Sequence, residues 1–371
     1  MTRIALHVRA VVFALLAGLP VLLGLAGCDR DSRDSKASGP NPARELVFYS
    51  WEEDLPPSLL TAFTAETGAR VVYRTYRSTE EGVAGIRSGQ VCDVAVIENP
   101  FIPDLAAEGL LAELDHRNIP NLVHLAEDFR ELLFDPGNRY SVTFNWGLTG
   151  LVVRDDLAQG RVTRWADLWD ERFAGRIQVW DLQRTLVGIA LKSLGHSANS
   201  ENPAELEAAL ARLVQLKARA RTSGYAPDLA EQALANGRTA LLYGYSQDLL
   251  RGRQRGLQVS FVLPAEGSIQ WTDNFVVPAA SPNKHLAERF IDFMLRPENS
   301  ARIVNEQRYP TANKAATPFI RPEILNDPVL FPPVREMRRA EVLMPLSPEG
   351  RRLHAQLWRR YLAAPALSAK P

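Results

Sequence analysis

Cysteine is nearly absent from this chain, with Cys28 and Cys92 the only two among 371 residues, so no framework of disulfides holds the fold. Histidine is also scarce. His7, His116, His124, His196, His285 and His354 are scattered without the close spacing that metal ligation requires, and no metal centre is expected. Neither sign of charge is in excess, with 43 basic and 43 acidic side chains, so no global field recruits nucleic acid. A glycine-rich phosphate loop is missing, as is any internal repeat. Gly244-Tyr245-Ser246-Gln247-Asp248 is the nearest approach to a nucleophile elbow, but it ends in Asp where the second glycine belongs and reads as a strand-to-helix turn. These absences remove the usual reactive constellations, so neither an enzyme nor a bound cofactor is expected.

Long apolar runs are missing too, apart from Ala10 to Gly27. That run follows Arg3 and Arg9 in the manner of a secretory leader. It ends Leu25-Ala26-Gly27-Cys28, which resembles a bacterial lipoprotein cleavage site with Cys28 as the lipidated residue. An uncleaved anchor is the alternative, but the run is short for a spanning helix and a polar stretch follows it. Asp29 after the cysteine resembles the signal that keeps such lipoproteins at the inner membrane. Removing residues 1–27 leaves 41 basic and 43 acidic residues. Cys92 is then the only free thiol, and within Val91 to Val96 it reads as a small buried hydrophobe.

From Asp29 to Arg44 there is no bulky apolar residue, so residues 28–44 are expected to form a flexible tether. Folding should begin near Glu45. What remains is too long for one ordinary core, and two lobes are the natural expectation.

Short β-branched or aromatic runs alternate with helical patterns. Strands are expected at 46–50, 70–76, 93–97, 148–154, 176–180, 239–243, 258–262 and 274–277. Helices are expected at 57–68, 79–87, 102–111, 183–195, 203–219 and within 285–306. This alternation is α/β organisation with mostly parallel strands. Ligands of such sheets bind outside the carboxyl ends of strands. The residues placed there are aromatic and acidic: Trp51 to Asp54, Glu98-Asn99, Trp146, Trp180-Asp181, Tyr245-Ser246 and Trp271 to Asp273.

Phe48-Tyr49-Ser50-Trp51-Glu52, Tyr140-Ser141 with Trp146-Gly147, Trp165 to Trp169, Gly267 to Asp273 and Tyr309-Pro310-Thr311 together resemble the spermidine/putrescine-binding proteins of ABC transporters, over nearly the whole exported chain. The resemblance implies a two-lobed periplasmic-binding-protein fold of type II, whose lobes close on a ligand about crossover segments. The implied division is residues 45–146 with 272–318 in lobe 1, and 147–271 with 319–371 in lobe 2. A polyamine needs carboxylates for its ammonium groups and aromatic faces for its stem. By resemblance, Trp51 and Trp271 are the aromatic walls, Asp273 the principal carboxylate, Tyr245 a smaller face where the family has tryptophan, and Ser223 a hydrogen-bond acceptor. Glu52, Glu98, Asn99 and Asp181 complete the candidate set.

The departures from the family concern charge. Of two family acids around residues 181–185 only Asp181 is present, with Thr185 in place of the second. Asp54 stands where the family has tyrosine, Glu98 where it has serine or threonine, and Leu343 where it has glutamine. The acids at 52–54 also suit the N-terminus of the helix starting at Pro57, so both readings of them stand. The implied role is a monomeric receptor on the periplasmic side of the inner membrane. It would pass a polyamine-like cation to a permease and its ATPase. An amino acid or other zwitterion held through Arg184 is an alternative, as is an exported lipoprotein with no part in transport.

Overall fold

The computed structural model describes residues 44–366. The leader, the lipidation site Cys28 and almost all of the tether lie outside the described residues. The chain opens with β1 (Glu45–Trp51), α1 (Pro57–Thr67), β2 (Arg70–Tyr76), α2 (Thr79–Arg87), β3 (Val94–Glu98) and α3 (Ile102–Ala107). A short hairpin, β4 (Glu131–Leu132) and β5 (Asp135–Pro136), leads to the long β6 (Ser141–Arg154). Then come β7 (Ile177–Trp180), α4 (Gln183–Ser193), α5 (Pro203–Lys217), β8 (Ala220–Ser223), α6 (Pro227–Ala235), β9 (Leu241–Gly244) and α7 (Ser246–Gln254). The remainder is β10 (Val259–Val262), β11 (Ile269–Val276), α8 (Lys284–Met294), α9 (Pro297–Gln307), α10 (Pro322–Leu325), α11 (Val334–Met337), β12 (Glu341–Val342) and α12 (Pro348–Ala363).

Local chemistry explains the element ends. Proline at N1 of α1 supplies a helical φ, and Gly68 at φ 71° stops the helix in a left-handed turn. Ser78 caps α2 by accepting a hydrogen bond from the Glu81 amide at 3.1 Å. Glu80 and Glu81 occupy the first turn of that helix and Arg87 its last, in keeping with the helix dipole. Val83 and Ile86, three apart, form its buried stripe.

The main sheet runs in the order β2-β1-β3-β11-β6-β9-β7-β8, with β10 beside β6 and β12 beside β11. Pairing is parallel among β2, β1 and β3, and again among β8, β7 and β9. Between these halves, β6 and β11 run antiparallel to each other, β11 antiparallel to β3, and β6 antiparallel to β9 and β10, while β12 pairs in parallel with β11. The first half of β6 belongs with β3 and the end of β11, and its second half with β9 and β10.

Each half of the sheet carries its own core. In one, Phe48, Phe63, Phe275 and Phe290 are fully buried, and Phe144 stacks on Phe275 with ring centres 4.0 Å apart. Burying each such ring is worth about 1.5–3 kcal/mol. In the other, Val179, Leu186, Leu213 and Leu241 pack around α4 and α5. This is the α/β, two-lobed type II arrangement. Near the C-terminus, Ile320, Ile324 and Leu330 pack against Ala301 and Val304 of α9, whereas Leu357 and Tyr361 of α12 join the core around α5.

Two strands differ from expectation. β6 starts at Ser141 rather than Leu148, and β11 at Ile269 rather than Asn274. Trp146, Trp271 and Asp273 therefore lie within strands, not after them. The reason is long-range pairing: Ile269 to Asp273 line up with Thr149 to Asn145, an order that residue preferences along either segment alone do not disclose. The elements β4, β5, β8, α6, α7, α10, α11, β12 and α12 were not among those expected.

Candidate ligand-binding cleft

Strand geometry sets the site. Trp51 ends β1, Glu98 ends β3 and Tyr245 follows β9, which brings three strand ends to one place. Trp271 and Asp273 are two apart on β11, so their side chains share a face of the sheet. The cavity lined by these side chains, with Glu52 exposed at its rim, has a volume of about 670 Å³ including its mouth.

Its walls are aromatic. The Trp51 ring meets Tyr76 edge-on, with centres 4.9 Å apart. A second series of edge-to-face contacts runs from Trp180 to Tyr225 (5.4 Å), Tyr225 to Tyr245 (5.2 Å), Tyr245 to Trp271 (6.1 Å) and Trp271 to Tyr309 (5.9 Å). Gly147 faces Trp271 across the β6/β11 pair, and a Cβ there would come within 2.3 Å of the indole. The absence of a side chain at 147 is what allows that ring its position. The Trp271 ring nitrogen makes no hydrogen bond among the described residues.

Three carboxylates converge on this aromatic cavity. Asp54, 2% exposed, accepts hydrogen bonds from the Ser50 hydroxyl and from Asn145 Nδ2 at 3.3 Å. Asp273, 6% exposed, faces Glu98 in the β11/β3 pairing and Asn145 in the β11/β6 pairing. None of the three is joined to a basic side chain by an ion pair among the described residues. Burial pushes the Asp54 carboxyl up to about 6, against the pull of Ser50 and Asn145. Burial, with Glu80 adding to it, pushes Glu98 up to about 7. Asp273 is raised well above the usual range by burial first, then by Asp54 and Glu98. A cavity of this kind attracts cations, since a positive guest relieves both desolvation and mutual repulsion. Among the described residues no group of three acids, histidines or cysteines is arranged to hold a metal ion.

Residues 58–332 match the family described as bacterial extracellular solute-binding protein. The chain belongs to this family of solute-binding proteins. The spermidine/putrescine-binding periplasmic protein of Escherichia coli K12 is 32% identical over 330 residues, covering 88% of this chain and 91% of its own length. A putrescine/cadaverine-binding protein of Pseudomonas aeruginosa is 33% identical over 334 residues, covering 85% and 93%. Among solved structures, a spermidine/putrescine ABC transporter substrate-binding protein from Streptococcus pneumoniae superposes with a TM-score of 0.73 at 30% identity, over 86% of this chain and 98% of that one. Among the described residues of this solute-binding protein no helix is long and apolar enough to cross a membrane.

Three residues singled out in the sequence do not line the cavity. Asn99 is buried behind it, donating to the Leu343 carbonyl and accepting from Thr272 Oγ1 at 3.1 Å. Asp181 accepts a hydrogen bond from the Tyr361 hydroxyl of α12 at 3.3 Å. Ser223 Oγ accepts from Gln178 Nε2 at 3.3 Å. Asn99 and Asp181 are turned to other partners because β12 and α12, late in the chain, fold back beside them.

Other lining residues were not singled out. Tyr76, Arg77, Tyr225, Ala226, Pro227, Gln247 and Tyr309 all border the cavity, and Asp54, one of two readings in the sequence, belongs to it. Gln247 Nε2 donates to the Arg308 carbonyl at 2.6 Å, and Arg308 itself sits at φ 64°, turning the chain out of α9 so that Tyr309 enters the site. A non-glycine residue in that conformation stores of order 1–3 kcal/mol and often marks a functional turn. The motif Tyr309-Pro310-Thr311 was the signal available for it.

Proposed function

We propose that this protein captures a polyamine in the cleft between its lobes and delivers it to a membrane permease driven by a separate ATPase. The observation that carries the reading is the convergence of Asp54, Glu98 and Asp273, without basic partners, inside aromatic walls. Ammonium groups would neutralise the acids, and the methylene stem would lie against Trp51, Trp271 and Tyr245. The E. coli, P. aeruginosa and S. pneumoniae relatives, named for spermidine, putrescine or cadaverine, support the same ligand class. The lipid anchor at Cys28 and the place at the inner membrane are part of this proposal, resting on the leader and on Asp29.

A zwitterion held by Arg184 is less well supported. Arg184 lines a separate cavity, where it donates to the Met344 carbonyl at 3.0 Å and lies 3.3 Å from His354 Nδ1. The test is thermal unfolding of the protein against putrescine, cadaverine, spermidine, spermine, arginine and glutamate. A ligand that binds only the folded state raises the transition temperature. Amines are expected to raise it and glutamate to leave it unmoved. A rise with amino acids alone would reject the polyamine.

A further inference from the structure

Behind two of the cleft acids lies a side chain that does not line the cavity. Asn145, in β6, is fully buried and stands outside the lining. Its backbone is fixed from two sides, by pairing with Asp273 of β11 and by a bridge to Thr311. Residues directly opposite in an antiparallel pair share a face of the sheet, so the Asn145 side chain stands beside that of Asp273, just as Gly147 stands beside Trp271 two residues along. Toward the turn after β1, Asn145 Nδ2 donates to Asp54 Oδ1 at 3.3 Å.

Asparagine is a poor choice for this position on grounds of folding alone. It is disfavoured in strands, and a buried polar side chain is normally paired at both ends. No donor among the described residues reaches Asn145 Oδ1. An apolar side chain of like size would fill the space without that cost. What the amide does accomplish is to complete the setting of Asp54. The Ser50 hydroxyl donates to one carboxylate oxygen and Asn145 to the other. Each oxygen keeps a second lone pair for the N–H of a guest. Burial works against the ionised form of Asp54, and these two donors work for it. The other titratable groups that interact with Asp54 are Asp273 of β11, Tyr73 and Tyr76 of β2, and Tyr309 after α9, and none of them is a base.

We infer that Asn145 is a positioning residue of the binding site: without touching the ligand, it orients the Asp54 carboxylate and keeps it charged for an ammonium group. The inference rests on the cation-binding reading of the cleft. Asp54 stands where the resembling family has tyrosine, so an acid at this place needs its own support. Asn145 and Ser50 supply it from strands that already frame the cavity.

Calorimetric titration with putrescine over a range of pH tests this in the parent, Asn145→Leu, Asp54→Asn and the double variant. Loss of a hydrogen bond to a charged group should weaken binding by Asn145→Leu about tenfold at neutral pH. The pH at which affinity develops should move upward, because a carboxyl group that loses a donor gives up its proton later. In the Asp54→Asn background the same replacement should cost little further affinity, since the two residues act through one group. Asn145→Ala, which adds no bulk, repeats the series and decides the matter if the leucine variant does not fold. Parent-like affinity and pH profile in a folded Asn145 variant would overturn the inference. So would an equal loss with and without Asp54, which would make Asn145 a support of the fold alone. Both of those results leave cation binding by the parent standing. Failure of the parent to bind putrescine would overturn the cation reading and this inference with it.

Discussion

Asp273 and Glu98 stand directly opposite each other where β11 pairs antiparallel with β3. Like charges in that position destabilise a sheet by about 0.2–1 kcal/mol. On the proposed reading, a cationic guest would turn that repulsion into binding. Asp273→Asn keeps the shape and removes one charge, so the unliganded variant is expected to be as stable as the parent or more so by up to about 1 kcal/mol. Urea unfolding without ligand measures this, and a marked loss of stability would show that the carboxylate supports the fold.

The raised carboxylates link folding to pH. In an unfolded chain Asp and Glu titrate near about 4, whereas in the folded protein Asp54 is at about 6 and Glu98 at about 7. The folded state therefore holds these protons more tightly, so their contribution to stability is full below pH 4 and is lost as pH rises through about 7. Asp115, held at about 2 by Arg117, acts in the other direction but only below that window. The unliganded protein is expected to unfold at lower urea at pH 8 than at pH 5. A polyamine selects the ionised acids, so its affinity should rise over the same interval, with proton release visible as a buffer-dependent binding enthalpy.

Gly147 is expected to be intolerant of a methyl group. In Gly147→Ala the new Cβ would meet the Trp271 indole, whose displacement opens one aromatic wall. Overpacking of this kind costs about 1–3 kcal/mol. Tryptophan fluorescence and amine titration should both change, with affinity falling more than stability. Unaltered affinity would mean that Trp271 is not a wall of the occupied site.

The ion pair between Arg251 and Glu53 joins α7, which follows β9 in one half of the sheet, to the turn after β1 in the other half, with Glu53 side-chain exposure at 60%. Pairs so exposed contribute about 0–1 kcal/mol. Glu53→Gln is expected to leave the unfolding midpoint almost unmoved while speeding ligand dissociation, measured by stopped-flow fluorescence. A large drop in the midpoint would place the pair among the supports of the fold.

Much of this was legible in the sequence. Trp51, Glu98 and Tyr245 sit at strand ends, where α/β sheets present ligand sites, and strand ends can be read from local patterns. Trp271 and Asp273 were reached through resemblance, although they lie inside β11. Their shared face depends on the register with β6, a relation between segments more than a hundred residues apart. Tyr225 and Gln247 reach the cavity only through packing between distant elements, so no local spacing marks them, and Tyr309 had only its Tyr-Pro-Thr motif as a signal. The same cause misdirected the reading of Asn99 and Asp181, whose partners, the Leu343 carbonyl and Tyr361, come from the last part of the chain. Asp54 was balanced between a helix-start acid and a cleft acid, and its side chain borders the cavity while bonded to Ser50 and Asn145.

The central claim is that buried carboxylates bind a cationic ligand, and Asp273→Asn against putrescine by calorimetry tests it most directly. Removing one partner of a desolvated charge pair costs about 2–5 kcal/mol, so affinity should fall by well over tenfold in a variant that remains folded. Putrescine binding equal to that of the parent would contradict the account.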